Sequence, residues 1–315
     1  MISIVPKDKK EWLAERAKDI TSTEVSALFG IHGYGLTEFE LWHRKKAGEI
    51  GEIEETKRMK WGNILQDSIA AGIAEDQGWK IRRMSEYRRM DGLRIGSSFD
   101  FGIKGNCEEV EGIDMMEEYF GLLEIKNVDS WIFKKEWLTE QDKVEAPPHI
   151  ELQAQHQLLV SGRAYIFIGA LIGGNDLVLI ERHPSPKIHA AILEKCAAFW
   201  KSIDENKPPE PNFATDAKFI ASLYNYAAPG SVVSVAGDEQ IKEMVERYRE
   251  NGELIKAAEA RRDEIKAKLL TIIGEAEKAE GGLFTISAGM VGPQIIKEHT
   301  RKGFRMFKVT FKKGA

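Results

Sequence analysis

RIGSSFDFGI (Arg94 to Ile103) and GLLEIKN (Gly121 to Asn127) are the two runs whose reading decides the fold. Leu122 to Lys126 reads as a strand, so residues two apart share a face: Glu124 and Lys126 project one way and Ile125 the other. Asp100 closes the earlier strand-like run, and a hairpin joining the two strands would bring a second carboxylate to the same edge. Two carboxylates beside a lysine make a hard-oxygen site suited to Mg²⁺ or Mn²⁺. Such a cation neutralises a phosphodiester and acidifies water, while an adjacent lysine can orient or deprotonate the attacking water. Nucleic-acid cleavage is the chemistry this pattern points to. The competing reading of Glu-x-Lys is a solvated, ion-pairing strand face.

Working outward, 315 residues allow one sizeable core plus an accessory element, or two domains. A composition of 43% hydrophobic and 30% charged residues describes an ordinary soluble chain. The longest uncharged stretch, Ala164 to Asn175, is too short to span a bilayer, and MISIVPKDKKEW has no signal-peptide character, so a cytoplasmic protein without membrane partners is expected. Cys107 and Cys196 are the only cysteines, too few for an iron–sulfur cluster or a zinc ribbon. With a net charge of −5, any DNA contact must use local basic patches.

Before these runs, Lys9 to Lys18 reads as a helix carrying Trp12 and Leu13. In DITSTEVSALFG, Thr21 and Glu24 have capping-box spacing, so a helix should start there and stop at Gly30. Its amide groups and the hydroxyls of Ser22 and Thr23, with Arg16 nearby, form either an anion site or a plainly capped helix. Thr37 and Glu40 open a second capped helix with Phe39, Leu41 and Trp42 as core. A third runs from about Lys60 to Gln77, with Trp61, Ile64, Leu65, Ile69 and Ile73 at helical spacing and Gly78 as its stop. KIRRMSEYRR has five basic residues in ten and is either a solvated edge strand or a phosphate contact.

Between the two deciding runs, the acidic Glu108 to Glu118 segment reads as a surface loop at the hairpin tip. After Lys126, SWIFKKEW offers Trp131, Phe133 and Trp137 for packing or base stacking. Pro147 and Pro148 set up the helix HIELQAQHQLLVSG, on which Gln153 and Gln157 share a face and Gln155 points elsewhere. AYIFIGALIG and DLVLIERH are two strands, the first apolar enough to be buried on both sides. A helix from Ser185 to Asn206 follows, and the Pro- and Ala-rich run after it marks a boundary near residue 210. Beyond it, Asp238 to Lys278 is helical with an apolar stripe through Ile241, Val245, Tyr248, Ile255, Ile265, Leu269 and Ile272, and Gly252 can break it into a hairpin. Phe307, Val309 and Phe311 alternate with Lys308, Thr310 and Lys312, which with GGLFTISAGM should make a β-hairpin. The connection holds Lys297, His299, Arg301 and Lys302, either a solvated tip or a further phosphate contact.

In order and spacing, ITSTEV, LLEIK and IELQAQHQLLVSG resemble the PD-(D/E)XK nuclease superfamily and, within it, the lambda-exonuclease-like YqaJ-type viral recombinase family, over about residues 10 to 210. The resemblance implies a restriction-endonuclease-like α/β core, a mixed β-sheet flanked by helices, over residues 1–210, with a helical and β-hairpin extension over 211–315. It implies Asp100, Glu124 and the Ile125 carbonyl as metal ligands, Lys126 as the catalytic lysine and Gln153 as the helix glutamine. Arg16, with Thr23 and Ser22, falls where the family binds the 5′-phosphate of a DNA end. Where the family's helix motif ends in Glu, WGNILQDS has Gln66; Asp67 is rotated about 100° away on the helix and cannot simply replace it. Gln66 can still hold a metal-bound water, which bears on a second cation more than on the reaction.

The activity so implied is Mg²⁺- or Mn²⁺-dependent 5′-to-3′ digestion of double-stranded DNA from a 5′-phosphorylated end, with two ions per site. It leaves a 3′ single strand for a phage-type annealing protein, in a homotrimeric ring, inside a bacterial or phage-infected cell. The alternatives are an endonuclease of the same superfamily and a non-catalytic DNA-binding module.

Overall fold

The computed structural model describes residues 1–31, 33, 35–48, 55–104, 119–293, 305–307 and 309. Along the chain these form β1 (Ile2–Ile4), α1 (Lys9–Ala17), a 3₁₀ helix η1 (Val25–Phe29), α2 (Glu38–Ala47), α3 (Lys57–Gln77), β2 (Ile81–Arg83), β3 (Tyr87–Met90), β4 (Ile95–Ser98), β5 (Phe101–Lys104) and β6 (Tyr119–Val128). They continue with α4 (Ser130–Glu136), α5 (Pro148–Ser161), β7 (Tyr165–Ile172), β8 (Asp176–Arg182), α6 (Pro186–Asp204), α7 (Ala217–Leu223), α8 (Glu239–Ile273), β9 (Lys278–Glu280) and β10 (Thr285–Ser287). Two units result, Met1–Phe219 and Ile220–Ala315. The first extends past Glu210 because Asp216 is buried and accepts a 2.5 Å hydrogen bond from the Thr37 hydroxyl.

The first unit is an α/β core built on a five-stranded mixed sheet in the order β2-β5-β6-β7-β8, where only β6 and β7 run parallel. A parallel neighbour needs a crossover, and the chain supplies one through α4 and α5. Alternation along β6 sorts its side chains. Leu123 and Ile125 join Ile69, Ala70 and Ile73 of α3 on one face, while Leu122 and Val128 join the core beneath α5 on the other. Strand β7 is covered on both sides, as its apolar run predicts: Ile166, Ile168, Ala170 and Ile172 belong to one cluster, Phe167 and Leu171 pack on the other. Gly169 lets α3 approach, since a Cβ there would sit 2.4 Å from Ile73 Cδ1.

A second, antiparallel sheet, β1-β3-β4, lies in the same unit. This changes two expectations. RIGSSFDFGI is not one strand: β4 belongs to the small sheet and β5 to the large one, with the chain changing sheets at Phe99 and Asp100. Asp100 therefore opens β5 instead of closing β4. KIRRMSEYRR likewise divides into β2, an edge of the large sheet, and β3, the centre of the small one. Its arginines face carboxylates: Arg83 pairs with Asp67, and Arg89 with Asp19 and Glu15.

Three further readings are corrected by burial. In α3, Ile69 and Ile73 are core, but Trp61 and Ile64 are exposed, because the first turns of the helix lack a covering layer among the described residues. In α4, Trp137 is buried and Trp131 is 64% exposed, with the Lys135 ammonium 5.2 Å from its ring. In the second unit α8 is one continuous helix through Gly252, and none of its residues is buried. Its neighbours β9 and β10 pair with each other, Thr285 opposite Glu280, so the GGLFTISAGM strand takes its partner from Lys278 to Glu280. The acidic run Glu108 to Glu118, and Lys297, His299, Arg301, Lys302, Lys308, Thr310, Phe311 and Lys312, lie outside the described residues. None of the described helices is long and apolar enough to cross a membrane.

Candidate active site

Glu124 and Lys126 project from β6 onto the face covered by α5, as strand alternation requires. Glu124 is 5% exposed on an otherwise apolar strand face, a placement that is costly for a carboxylate unless donors surround it. Three side chains do so. Lys126 Nζ donates to its Oε1 at 2.5 Å, Gln153 Nε2 to the same oxygen at 2.6 Å, and Gln157 Nε2 to Oε2 at 2.8 Å. Gln153 also accepts from Lys126 Nζ at 3.1 Å, so carboxylate, ammonium and amide close a triangle.

Why these glutamines are available follows from α5 itself. Pro148 at its start has no N–H to lose, Gly162 ends it in the left-handed region at φ 70°, and its residues are buried almost all round. Polar side chains on such a helix must each find a partner. Gln155, on another face, donates to the His183 carbonyl and accepts from the Ser185 N–H, while His156 lies against the Ile20 carbonyl. The shared face of Gln153 and Gln157 is thus left for Glu124.

Asp100 reaches the cluster from the start of β5. Its Oδ2 accepts from the Ile125 N–H at 2.9 Å, one residue from Glu124, and the Gln66 side chain hydrogen bonds to it from α3. Burial, and next the Glu124 charge, push its carboxyl up to about 7 against the opposing pull of Lys126. Two acids that raise each other's cost of ionisation are relieved by a cation, and their oxygens are hard donors. A divalent cation of the Mg²⁺ kind binds through one or two carboxylates with water completing its shell. The donor set fits such an ion. Among the described residues no third His, Cys, Asp or Glu joins the two acids. Gln66 is committed elsewhere as well, its Oε1 accepting from Arg83 at 3.1 Å, and Asp67 turns outward to pair with the same arginine.

The second group of expected residues lies at the end of α1 and the turn after it. Arg16 donates to Thr23 Oγ1 at 3.1 Å and to Thr21 Oγ1 at 3.4 Å, and its guanidinium lies 4.5 Å from the Trp12 ring centre. The structure thus brings Arg16 and Thr23 together, with Ser22 buried beside them. The capping box forms, Thr21 N–H donating to Glu24 Oε2 at 2.9 Å, but what it starts is a turn and a five-residue 3₁₀ helix instead of an α-helix. Lys45 holds the base of this turn: its ammonium meets Glu24 at 2.9 Å and donates to the carbonyls of Arg16 and Asp19. Those charges keep the Glu24 carboxyl below its ordinary range although burial opposes them. Asp19, fully buried, accepts from Tyr87 and Arg89 and fixes α1 to the small sheet.

Sequence reasoning gave no role to Gln157 or Ser98. Gln157 was legible as the i+4 partner of Gln153, and Ser98 carried no signal. The pairing of Gln66 with Arg83 was not foreseen either, since it depends on β2 lying at the sheet edge beside α3.

Residues 11–164 match the model of the YqaJ-like viral recombinase domain. Among solved structures, the chain is similar to an alkaline exonuclease from Laribacter hongkongensis at 17% identity and a TM-score of 0.48, covering 68% of this chain and 100% of that one. The same exonuclease in complex with dAMP gives 18% and 0.49, over 67% of this chain and 98% of that one. A phage-related exonuclease from Haemophilus somnus gives 13% and 0.35, over 64% and 88%. The fold assignment rests on the topology above and not on these scores. No curated protein matches the chain.

Proposed function

With residues 11–164 a YqaJ-like viral recombinase domain, we propose that the chain is a nuclease that degrades double-stranded DNA from a 5′-phosphorylated end towards 3′. One observation carries the reading: Asp100, Glu124, Lys126 and Gln153, drawn from three elements, converge on one cluster, while Arg16 and Thr23 form a separate cationic and hydroxyl pair suited to a terminal phosphate.

Asp100, Glu124 and the Ile125 carbonyl would hold Mg²⁺ or Mn²⁺, whose contribution when bound is to neutralise the scissile phosphate and acidify water. Gln153 and Gln157 keep Glu124 in place. Lys126, tied to both Glu124 and Gln153, orients water towards phosphorus and can carry its proton. Gln66 stands where a second ion would want an acid, so two ions per site need its carbonyl freed from Arg83. The single strand left behind would pass to an annealing protein, and a homotrimeric ring would confine basic surface to a bore while the net charge stays at −5.

The test compares linear duplex bearing 5′-phosphate, linear duplex bearing 5′-hydroxyl and closed circular DNA, each with and without Mg²⁺. Fast loss of the phosphorylated linear duplex alone is the expected result. Degradation of the circle at the same rate would mean an internal cutter and would end the exonuclease reading.

A further inference from the structure

The two groups of residues in the site are joined by a line of hydrogen bonds that crosses four elements. Trp12, on α1, carries the Arg16 guanidinium on its ring at 4.5 Å, and its Nε1 donates to Ser98 Oγ at 2.7 Å. Ser98 ends β4, and its carbonyl accepts from Gln157 Nε2 of α5 at 3.3 Å. The same Nε2 donates to Glu124 Oε2 of β6 at 2.8 Å. Each joint is a single polar contact in a place where an apolar side chain would pack equally well.

Gln157 shows most clearly that packing is not its purpose. It is 2% exposed, and its Oε1 has no hydrogen-bond partner among the described residues. Turning the amide over would not help, because the carbonyl would then face the Glu124 carboxylate and the Ser98 carbonyl. A buried amide held in this orientation leaves an acceptor unsatisfied, an arrangement that a core position has no reason to keep. Its gain is a fixed Glu124 and a fixed Ser98. Trp12 shows the same on the other side: ring and N–H are both used, the ring for Arg16 and the N–H for β4.

We propose that Trp12, Ser98 and Gln157 are positioning residues that set the distance between the Arg16–Thr23 phosphate pocket and Glu124, and thereby how many nucleotides from the 5′-phosphate the chain is cut. This rests on the exonuclease reading given above. A rigid offset between a bound end and the reacting phosphate yields one product length; a loosened offset yields several, since small misplacements in such sites are costly to rate.

Trp12→Phe keeps a ring beneath Arg16 and removes only the N–H, and Gln157→Met keeps volume while removing the donor. Both are assayed as the full chain on 5′-phosphorylated linear duplex with Mg²⁺, with product lengths read on a denaturing gel, kcat and KM measured, and folding checked by thermal melting. The parent should release one dominant length. Trp12→Phe should spread the lengths and lower kcat about tenfold with KM little changed, and Gln157→Met should spread them as well. Variants that melt as the parent does and keep its single length overturn the proposal, as does a parent that itself releases mixed lengths. A parent that ignores DNA ends overturns the exonuclease reading, and this inference with it; unchanged lengths in the variants of an end-dependent parent remove this inference alone.

Discussion

Replacing Asp100 by Asn removes one of the two acids that raise each other's cost of ionisation while keeping an oxygen for the Ile125 N–H. An acid moved from its ordinary 3.8 to about 7 carries a penalty of about 4 kcal/mol when charged, at 1.36 kcal/mol per decade. Relaxation and the high effective dielectric of real sites reduce that to about 2 kcal/mol. The sign follows from the proton count: a carboxyl whose folded value is raised costs nothing below 3.8, costs more as pH rises, and costs its full amount above about 7. At pH 8 in a chelator, Asp100→Asn should therefore melt roughly 4–8 °C above the parent, with the gap shrinking steadily towards pH 4. Adding Mg²⁺ should raise the parent's melting temperature and leave the variant's nearly unchanged, because the cation replaces the missing counter-charge only where both acids are present. Calorimetry at pH 5 and pH 8, with and without Mg²⁺, reads all four values. A variant no more stable than the parent at pH 8, or a parent indifferent to Mg²⁺, would refute the reasoning.

The scaffold around the site gives three further expectations. Arg16→Ala should lower the preference for 5′-phosphate over 5′-hydroxyl ends at least tenfold by loss of a charge-assisted contact; end-specific rates check it, and an unchanged ratio places the phosphate elsewhere. Gly169→Ala puts a methyl 2.4 Å from Ile73 Cδ1 and should cost about 1–3 kcal/mol in urea unfolding, whereas a neutral result would mean that α3 does not press on β7 there. Tyr87→Phe removes the donor to buried Asp19 and should cost about 1.5–3 kcal/mol; a loss below about 0.5 kcal/mol would make that network dispensable.

Short-range periodicity made much of the arrangement legible. Glu124 and Lys126 were placed on one face by strand alternation alone, and the split of Gln153 and Gln157 from Gln155 by helical spacing, because both depend on neighbours within a turn. The capping threonines Thr21 and Thr37 make the hydrogen bonds their spacing predicts. What was not legible depends on distant partners. Nothing in RIGSSFDFGI says that the chain changes sheets at Asp100, since both halves are good strand. Trp61, Ile64 and Trp131 follow the apolar pattern of a core helix yet stay exposed, because a pattern records which residues can be covered and not whether a layer arrives. Gly252 could have ended α8, but an isolated glycine costs a helix only about 1 kcal/mol, and the residues on both sides are strong helix formers.

The most direct test of the central claim is Mg²⁺-dependent digestion of end-labelled, 5′-phosphorylated duplex by the parent, Glu124→Ala and Lys126→Ala at equal folded concentration. Loss of the carboxylate or of the ammonium should slow digestion by roughly 10²–10⁴ while circular dichroism stays that of the parent. Two folded variants that digest DNA at the parent's rate would show that the chemistry, if any, is done somewhere else.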